Sequence, residues 1–406
     1  MIRLTPGLTA LMLAAISAIG PLATALYTPA FPTMARVFGV GADQIQLTLT
    51  AYMAGLAISQ LLYGPLADRF GRRPMLLGGL GLFTLGSIAC MLAESIPVLL
   101  VFRFLQAFGA ASGMVLGRAV VRDTFSNVEA TRVLALMGSI LAVAPALGPI
   151  IGGVLLQFGW QAIFAALVLY GLLALVFVAM ALPESLKPEQ RQSLSPGMIL
   201  GNYLSALRNR VFMGHVLAVS SMFAGHFAFV SSASFVLIDA YGVPATRFGL
   251  YYLVVIGAFI LGNLISARVS GRVSIHSLIV TGAGLSILGG SLMSLLVFGG
   301  AEHPLQVVAP QLITGFGAGL LVAPCIAGAL MPFPHMAGTA SALLGFLQMG
   351  AAALSTALLG YLYDGTARPM ALAIALCGVG TLTAYLLLVG RAGQPGAENE
   401  PLKSSG

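Results

Sequence analysis

The chain has 406 residues, of which 58% are hydrophobic and 8% are charged, and its formal net charge is +7. Soluble domains carry about 25% charged residues, so this composition excludes a water-soluble fold of this size. The positive charges lie at the ends of apolar runs and not in a patch or stripe, so we expect no nucleic-acid partner.

Twelve apolar stretches are long enough to cross a bilayer, which takes about 20 residues in a helix. They cover 7–31, 44–64, 74–93, 97–121, 132–157, 161–182, 211–238, 248–267, 275–298, 305–330, 337–361 and 369–389. The pattern predicts an all-α membrane protein with twelve transmembrane helices in two pseudo-symmetric six-helix bundles. We divide the chain into a first bundle at 1–182, a cytoplasmic linker at 183–210, a second bundle at 211–391 and a disordered cytoplasmic tail at 392–406.

The stretch between the second and third segments, residues 64–74, reads GPLADRFGRRP. A charged side chain at the bilayer centre costs roughly 2.5–3.5 kcal/mol, so we predict a short water-exposed turn here. With both termini on one side, fourteen Lys and Arg residues lie on that side and three on the other. Cytoplasmic loops collect Lys and Arg, so we expect both termini in the cytoplasm.

The two halves show weak internal repetition. Phe108-Gly109 in the fourth segment corresponds to Phe316-Gly317 in the tenth, and Arg268, Gly271 and Arg272 follow the eighth segment as residues 64–74 follow the second. Internal repeats of this kind are typical of transporters, whose binding site lies between the halves near the middle of the membrane.

Several motifs resemble those of a known family. Residues 64–74 resemble the signature of the loop between helices 2 and 3 in the major facilitator superfamily. Residues 103–106 (RFLQ) with Gly109 resemble the helix 4 motif of its drug:proton antiporters, and residues 145–153 (PALGPIIGG) resemble their helix 5 motif. Three further segments resemble sequences of the Bcr/CflA-type multidrug branch of this family. They are residues 27–32 (YTPAFP), 118–123 (RAVVRD) and 337–348 (AGTASALLGFLQ).

The resemblance implies an inner gate built from charged residues. In the family, the acid corresponding to Asp68 faces the N-terminus of helix 11, and the arginine corresponding to Arg72 pairs with an acid at the end of helix 4, here Asp123. Arg118 lies within one helical turn of the same membrane surface. Its side chain can take part in the gate, or it can simply extend its charge to the membrane surface, and the sequence leaves both possibilities open. One departure concerns proton coupling, because relatives in this branch carry an acid where this chain has Ala25.

Arg103 is an arginine that lies about two turns inside the fourth predicted helix, well within the hydrocarbon. Such a residue is expected to face the bundle interior and to have a function, although a long arginine can also reach the outer surface from near a helix end. Gln106 lies three residues further on, on the same face. The candidate binding pocket lies among helices 1, 2, 4, 7, 8 and 11 and is lined by Tyr27, Tyr52, Gln60, Arg103, Gln106, His226, Asn263 and Gln348.

Proton coupling needs a group whose protonation competes with the substrate, and no carboxylate falls at the middle of a predicted helix. His226 is the candidate, since its unperturbed pKa of about 6.5 suits this role and it lies near the middle of the seventh segment. The alternative is a neutral histidine that is hydrogen-bonded within the bundle. Asp43 and Asp239, at the outer ends of helices 2 and 7, are further candidates.

These observations predict a secondary transporter that exports amphipathic drug-like or antibacterial small molecules by proton antiport with alternating access. The sequence has no Walker loop and no metal-ligand or catalytic cluster, so we expect no enzyme activity and no cofactor. The expected partners are a small-molecule substrate, protons and the lipid bilayer, and we expect a monomer. A proton-independent facilitator or metabolite exporter is the alternative, and a non-transporting membrane scaffold or receptor is a more distant one.

Overall fold

The computed structural model describes residues 5–187, 189, 191, 196–300 and 303–390. It contains twelve helices that are long and apolar enough to cross a membrane, which confirms the predicted fold class. The first six are α1 (Pro6–Phe38), α2 (Ala42–Phe70), α3 (Arg72–Met91), α4 (Ile96–Thr124), α5 (Asn127–Leu155) and α6 (Gln161–Ala181). The other six are α7 (Arg210–Ala240), α8 (Ala245–Val269), α9 (Ile275–Phe298), α10 (Leu305–Leu330), α11 (Ala337–Leu362) and α12 (Arg368–Leu388). The predicted tail at 392–406 lies outside the described residues.

The predicted turn over residues 64–74 is much tighter in the structure. Helix α2 continues to Phe70, and Gly71 is the single residue between it and α3. Gly71 has a φ of 100°, a conformation that side chains with a Cβ rarely adopt, and this allows the chain to reverse in one residue. The predicted turn is therefore present but much shorter than residues 64–74, because the charged residues lie on the last turn of one helix and the first turn of the next.

The helices form two bundles with matching internal packing. In the first bundle α1 packs against α4 and α5, α2 against α4, and α3 against α4 and α6. In the second bundle α7 packs against α10 and α11, α8 against α10, and α9 against α10 and α12. Each contact in one bundle has its counterpart six helices later, so the two bundles are pseudo-symmetric.

The bundles meet along two helix pairs, α2 with α11 and α5 with α8. Small residues allow close backbone contact at the second pair. A Cβ on Gly249 of α8 would meet the backbone nitrogen of Ile150, and a Cβ on Gly153 of α5 would meet the carbonyl oxygen of Ala245. The glycines of the helix 5 motif therefore act in packing, since small residues let membrane helices approach closely.

A short helix at Pro196–Arg208, called here the linker helix, lies in the segment that we predicted as a polar linker. It packs against α7 and α11, and the Tyr203 O–H donates a hydrogen bond to the Leu61 carbonyl of α2 at 3.3 Å. Burial raises the pKa of Tyr203. The linker helix thus contacts both bundles, and the face of the protein on which it lies is called the linker side below.

On the opposite face, called the far side, the two bundles contact each other directly. The hydroxyls of Thr50 in α2 and Thr356 in α11 are 2.8 Å apart. The rings of Phe31 in α1 and Phe235 in α7 pack with centroids 6.1 Å apart. In this conformation the two bundles are therefore in direct contact in the half of the protein nearest the far side.

Candidate functional site

A cavity of about 270 Å³ lies between the two bundles. Both bundles contribute to its wall, through α1, α2, α4 and α5 of the first and α7, α8, α10 and α11 of the second. The lining residues are Pro21, Thr24, Ala25, Met53, Leu56, Met114, Leu141, Pro145, Met222, Phe223, His226, Phe227, Val230, Tyr252, Ile256, Phe259, Ala318, Val322 and Met349. A site between two bundles is where an alternating-access transporter binds its cargo.

The wall of the cavity is mostly apolar and rich in methionine and aromatic residues. Methionine side chains are flexible and polarisable, so they adapt to ligands of different shape. No carboxylate is among the lining residues, within the part of the chain that the structure describes. A mainly apolar wall with a few polar groups suits a drug-sized amphipathic molecule.

His226 contributes the imidazole of this wall. Its ring lies near the middle of α7, with centroids 6.4 Å from Phe223 and 5.6 Å from Phe227. The alternative of a histidine hydrogen-bonded within the bundle finds no support, because no described residue is its hydrogen-bond partner. The ring nitrogens are therefore free to bind cargo, water or a proton.

Ala25 lines the cavity at the position where related transporters are expected to carry an acid. Its Cβ packs against α5, since a Cβ on Gly148 would collide with it. The first bundle thus offers no carboxylate to the cavity from α1. Any acid–base chemistry in the cavity depends on the second bundle, where His226 lies.

Arg103 is completely buried within the first bundle. Its guanidinium lies over the rings of Tyr27 and Tyr52, at 4.2 and 4.1 Å from their centroids. Its Nη1 donates to Gln106 Oε1 at 2.6 Å, and Gln106 Nε2 donates to Ser87 Oγ at 2.7 Å. Buried cation–π contacts are each about 2 kcal/mol or more.

The two tyrosines of this cluster are themselves anchored by hydrogen bonds. Tyr27 shares a hydrogen bond of 2.7 Å with Thr48, and the Tyr52 O–H donates to the Gly20 carbonyl at 3.0 Å. We call this group the Arg103 cluster, and its members are Tyr27, Tyr52, Ser87, Arg103 and Gln106. The Arg103 cluster connects α1, α2, α3 and α4. Tyr27, Tyr52, Arg103 and Gln106 were expected in the pocket wall, but none of them lines the cavity, because the rings and the guanidinium enclose one another.

The other predicted lining residues also lie outside the cavity. Gln60 of α2 is buried against Gly345 of α11, at the contact between bundles. Gln348 is buried and Asn263 is exposed on α8, and neither lines the cavity. Of the predicted set, the structure places only His226 in the wall.

Asp43 and Asp239, the further candidates for proton coupling, are exposed at the far-side ends of α2 and α7. Neither is among the residues that line the cavity. Their carboxylates are therefore separated from bound cargo in this conformation.

The predicted gate residues form an ion-pair cluster on the linker side. Arg72 Nη1 lies 2.6 Å from Asp68 Oδ1, and Arg72 Nε lies 3.1 Å from Asp123 Oδ2. Among the described residues Asp68 makes no hydrogen bond to the N-terminus of α11, the contact that the resemblance implied. Arg118 lies apart from the cluster, and its Nε donates to the Met114 carbonyl at 3.0 Å.

Glu184, which the sequence analysis did not select, completes this cluster. Its carboxylate accepts hydrogen bonds from the backbone N–H groups of Arg72 at 2.9 Å and Arg73 at 3.2 Å, at the N-terminus of α3. Ser185 donates to Asp123 at 3.2 Å. The sequence did contain a signal for this contact. Glu184 is an acid just after the sixth apolar segment, on the same side of the membrane as the start of the third segment. The N-terminus of a helix stabilises a nearby negative charge, so the two could have been paired.

Comparisons with known proteins agree with this architecture. Residues 13–356 match the model of the Major Facilitator Superfamily. The chain is 35% identical to the uncharacterized MFS-type transporter YdgK of Bacillus subtilis (strain 168), covering 95% of this chain and 96% of the relative. It is 32% identical to a bicyclomycin resistance protein homolog of Haemophilus influenzae, covering 94% of this chain and 96% of the relative.

The fold is also found among solved structures. The crystal structure of a D-xylose-proton symporter superposes with a TM-score of 0.77 at 15% identity, covering 95% of this chain and 98% of that one. The chain therefore belongs to the major facilitator superfamily, and it is a transporter of small molecules and not an enzyme.

Proposed function

We propose that this member of the major facilitator superfamily exports amphipathic, drug-like molecules in exchange for protons. The observation that carries the proposal is the position of His226, an imidazole without a hydrogen-bond partner among the described residues, in an otherwise largely apolar cavity between the bundles. The relative named as a bicyclomycin resistance protein homolog supports a drug as cargo.

The exchange follows from competition at His226. A neutral imidazole accepts a hydrogen bond from cargo or packs against it, whereas a protonated ring is charged and disfavours an apolar ligand. Cargo binds from the linker side, the bundles then rock about the α2–α11 and α5–α8 contacts, and the far side opens. A proton that enters from the far side binds His226 and displaces the cargo. The bundles then rock back, and the proton leaves His226 to the linker side, so that the neutral ring can bind the next cargo.

The predicted gate residues Asp68, Arg72 and Asp123 form a linker-side cluster that acts within the first bundle. Arg72 connects α3 to both α2 and α4 through Asp68 and Asp123, and Glu184 adds α6 through backbone hydrogen bonds. This cluster keeps the linker-side ends of the first bundle together as one rigid unit. A rigid unit is what alternating access requires, since the bundles move as bodies.

We place the linker side in the cytoplasm of a bacterium, with both termini on that side and the protein in the inner membrane. The support is the excess of Lys and Arg residues on that side. The two bundles contain a complete cavity between them, which supports a monomer as the working unit.

A proton-independent facilitator is the second candidate, and Ala25 favours it because α1 brings no acid to the cavity. Uptake of a labelled hydrophobic drug into inverted vesicles separates the two candidates. With the interior of the vesicle made acidic, the exporter accumulates drug above its equilibrium level and loses this accumulation when a protonophore is added. A facilitator equilibrates the drug at the same rate with and without the gradient, and that result would overturn proton exchange.

A further inference from the structure

Tyr252 brings a second polar group to the wall of the cavity between the bundles. It lies on α8, where Tyr252, Ile256 and Phe259 all line the cavity, so one face of this helix is turned toward it. The residue is only 4% exposed. Its phenol therefore adds a hydroxyl to a wall that is otherwise mostly apolar.

The hydroxyl of Tyr252 has no hydrogen-bond partner among the described residues, and its oxygen remains accessible from the cavity. Buried tyrosine hydroxyls normally find a partner within the protein. In the first bundle, Tyr27 finds Thr48 and Tyr52 finds the Gly20 carbonyl. An accessible hydroxyl that has no partner in the protein is available to a molecule in the cavity.

The ring of Tyr252 is held in place by aromatic neighbours. Its centroid lies 6.2 Å from that of Phe229 on α7, with the two planes inclined by 27°. The ring of Phe248, one turn earlier on α8, has its centroid at 6.2 Å as well. These contacts restrict the side chain before any ligand arrives, so less conformational entropy is lost on binding. The hydroxyl is thus positioned in advance.

Tyr252 and His226 lie at neighbouring levels of the second-bundle wall. Phe229, on which Tyr252 stacks, follows His226 by three residues on α7, which is about 4.5 Å along the helix axis. The first bundle contributes mainly apolar side chains, and the hydroxyl of Thr24 there donates to the Gly20 carbonyl of its own helix at 3.3 Å. The polar end of a cargo molecule therefore faces the second bundle, and its apolar part faces the first.

The wall also restricts the charge of the group that Tyr252 can bind. No lysine or arginine is among the lining residues, within the part of the chain that the structure describes. A carboxylate in the cavity would lose its hydration without gaining an opposite charge. An uncharged acceptor, such as a ketone or amide carbonyl, avoids this cost and can accept the phenolic O–H.

We propose that Tyr252 selects cargo that carries an uncharged hydrogen-bond acceptor, to which its O–H donates. The apolar remainder of the cargo lies against the first bundle, where Met53 and Met114 adapt to its shape. A molecule without an acceptor covers the hydroxyl and leaves it without a partner, so it binds more weakly. This selection rests on the proposed function in that it places cargo in the cavity, and it does not depend on proton exchange.

Benzophenone is a suitable probe, because it is a neutral aromatic ketone whose carbonyl is both the acceptor and the photoreactive group. The purified full chain in detergent is illuminated with increasing concentrations of benzophenone, and the labelled residues are identified by mass spectrometry. Labelling of wall residues such as Met53 and Met222 supports the cavity as the cargo site. Labelling confined to exposed outer residues such as Leu295 would overturn that site, on which the proposed function and the role of Tyr252 both depend.

Tyr252→Phe removes the hydroxyl and keeps the ring that packs against Phe229 and Phe248, so the variant should remain folded. The benzophenone concentration that gives half-maximal labelling of the cavity should rise about fivefold, the effect of one uncharged hydrogen bond. Tyr251→Phe is the matched control, because Tyr251 is the adjacent residue of α8 and is not in the cavity wall. It should leave the labelling unchanged.

Competition by fluorenone and fluorene separates the hydrogen bond from the fit of the ligand. Both molecules are rigid and nearly equal in size, and fluorenone alone has a carbonyl group. Their partitioning into detergent is the same for both proteins, so the ratio of their competing concentrations should shift about fivefold against fluorenone in Tyr252→Phe. An unchanged ratio, with the cavity still labelled, would overturn the role of Tyr252 and leave the cavity as the cargo site.

Discussion

The hydroxyl oxygens of Thr50 and Thr356 lie 2.8 Å apart although the two residues are 306 positions apart in the chain. Thr50 belongs to the first bundle and Thr356 to the second, so this hydrogen bond joins the bundles in the far-side half. The contact must break whenever the cavity opens to the far side. It therefore reports which conformation the protein occupies.

Replacing both residues by cysteine, Thr50→Cys with Thr356→Cys, should allow a disulfide to form across the bundles. Hydroxyls in hydrogen-bond contact place their Cβ atoms near the separation of about 3.5–4.5 Å that a disulfide needs. We expect oxidation to stop transport nearly completely and reduction to restore it. The measurement is drug transport in vesicles after treatment with a mild oxidant and then with a reductant.

Each single cysteine variant serves as the control, because it should transport equally well under both conditions. The three native cysteines do not complicate the result, since Cys90 and Cys325 are buried and Cys377 is half-buried. Full transport by the oxidised double variant, with the disulfide verified by mass spectrometry, would show that the far-side contact does not open during the cycle.

The Glu184 carboxylate is expected to stabilise the first bundle by capping α3. Glu184→Ala removes the acceptor of two backbone amides at the start of α3 and of the Leu186 amide, together with a negative charge at a helix N-terminus. Such caps contribute about 0.5–2 kcal/mol, so we expect a lower unfolding temperature in detergent. The measurement is thermal unfolding of the purified variant followed by circular dichroism.

Glu189→Ala is a suitable comparison, because Glu189 is an exposed acid five residues further along the same segment. It should unfold at the temperature of the unmodified protein. If both variants lose the same stability, the effect comes from the net charge of the linker side and not from the cap on α3.

The twelve helices could be predicted from the sequence because each needs a long apolar run, and no other structure gives such runs in a chain with so few charges. The ends of the helices were harder to predict. Residues 65–70 include Asp68 and Arg69, whose charges predicted a place in the water-exposed turn, yet these residues are helical. Asp68 can remain in the helix because its carboxylate pairs with Arg72 across the tight turn at Gly71.

The residues of the cavity wall could not be predicted from the sequence. The prediction selected polar residues within the helices, whereas the wall consists mainly of apolar residues. Arg103 was selected since a charge within the membrane indicates function, but the sequence does not show that two tyrosine rings enclose it. The actual wall contains residues such as Met53 and Met222, which read in the sequence as ordinary apolar positions. Of the polar residues predicted for the pocket, only His226 lines the cavity.

Arg103 is expected to act through the stability and geometry of the first bundle. Arg103→Ala removes the close cation–π contacts with Tyr27 and Tyr52 and a longer one with Phe164. It also leaves Gln106 Oε1 without its donor. We expect a loss of about 2–4 kcal/mol in the free energy of unfolding, from the size of such contacts. Arg103→Lys should lose less, because the ammonium keeps the charge beside the rings but lacks the second donor group.

The measurement combines thermal unfolding with binding of a labelled drug to the variant that stays folded. A role in packing predicts that Arg103→Lys binds the drug with unchanged affinity although it is less stable. Loss of binding in a stable Arg103→Lys protein would show instead that this arginine contacts the cargo in another conformation.

His226 should couple the cargo to the proton. His226→Gln keeps a polar side chain of similar size in the cavity but cannot take up a proton near neutral pH. We expect the variant to bind drug but to lose the accumulation that an imposed pH gradient produces in inverted vesicles. Phe223→Leu changes a neighbouring wall residue without removing a titratable group, and it should keep the response to the gradient. An intact response in His226→Gln would assign proton coupling to another residue.

The cavity is expected to discriminate between neutral and permanently cationic drugs. No described carboxylate lines it, so a cation that enters leaves water without gaining an opposite charge. A quaternary ammonium drug should bind at least about tenfold more weakly than its neutral analogue of the same size, which corresponds to about 1.4 kcal/mol. Competition against a labelled neutral drug measures the two affinities. Ala25→Glu places a carboxylate in the wall and should reverse the preference, provided that its unfolding temperature shows a folded protein. Equal affinities for the two drugs in the unmodified protein would mean that a carboxylate reaches the cargo after all.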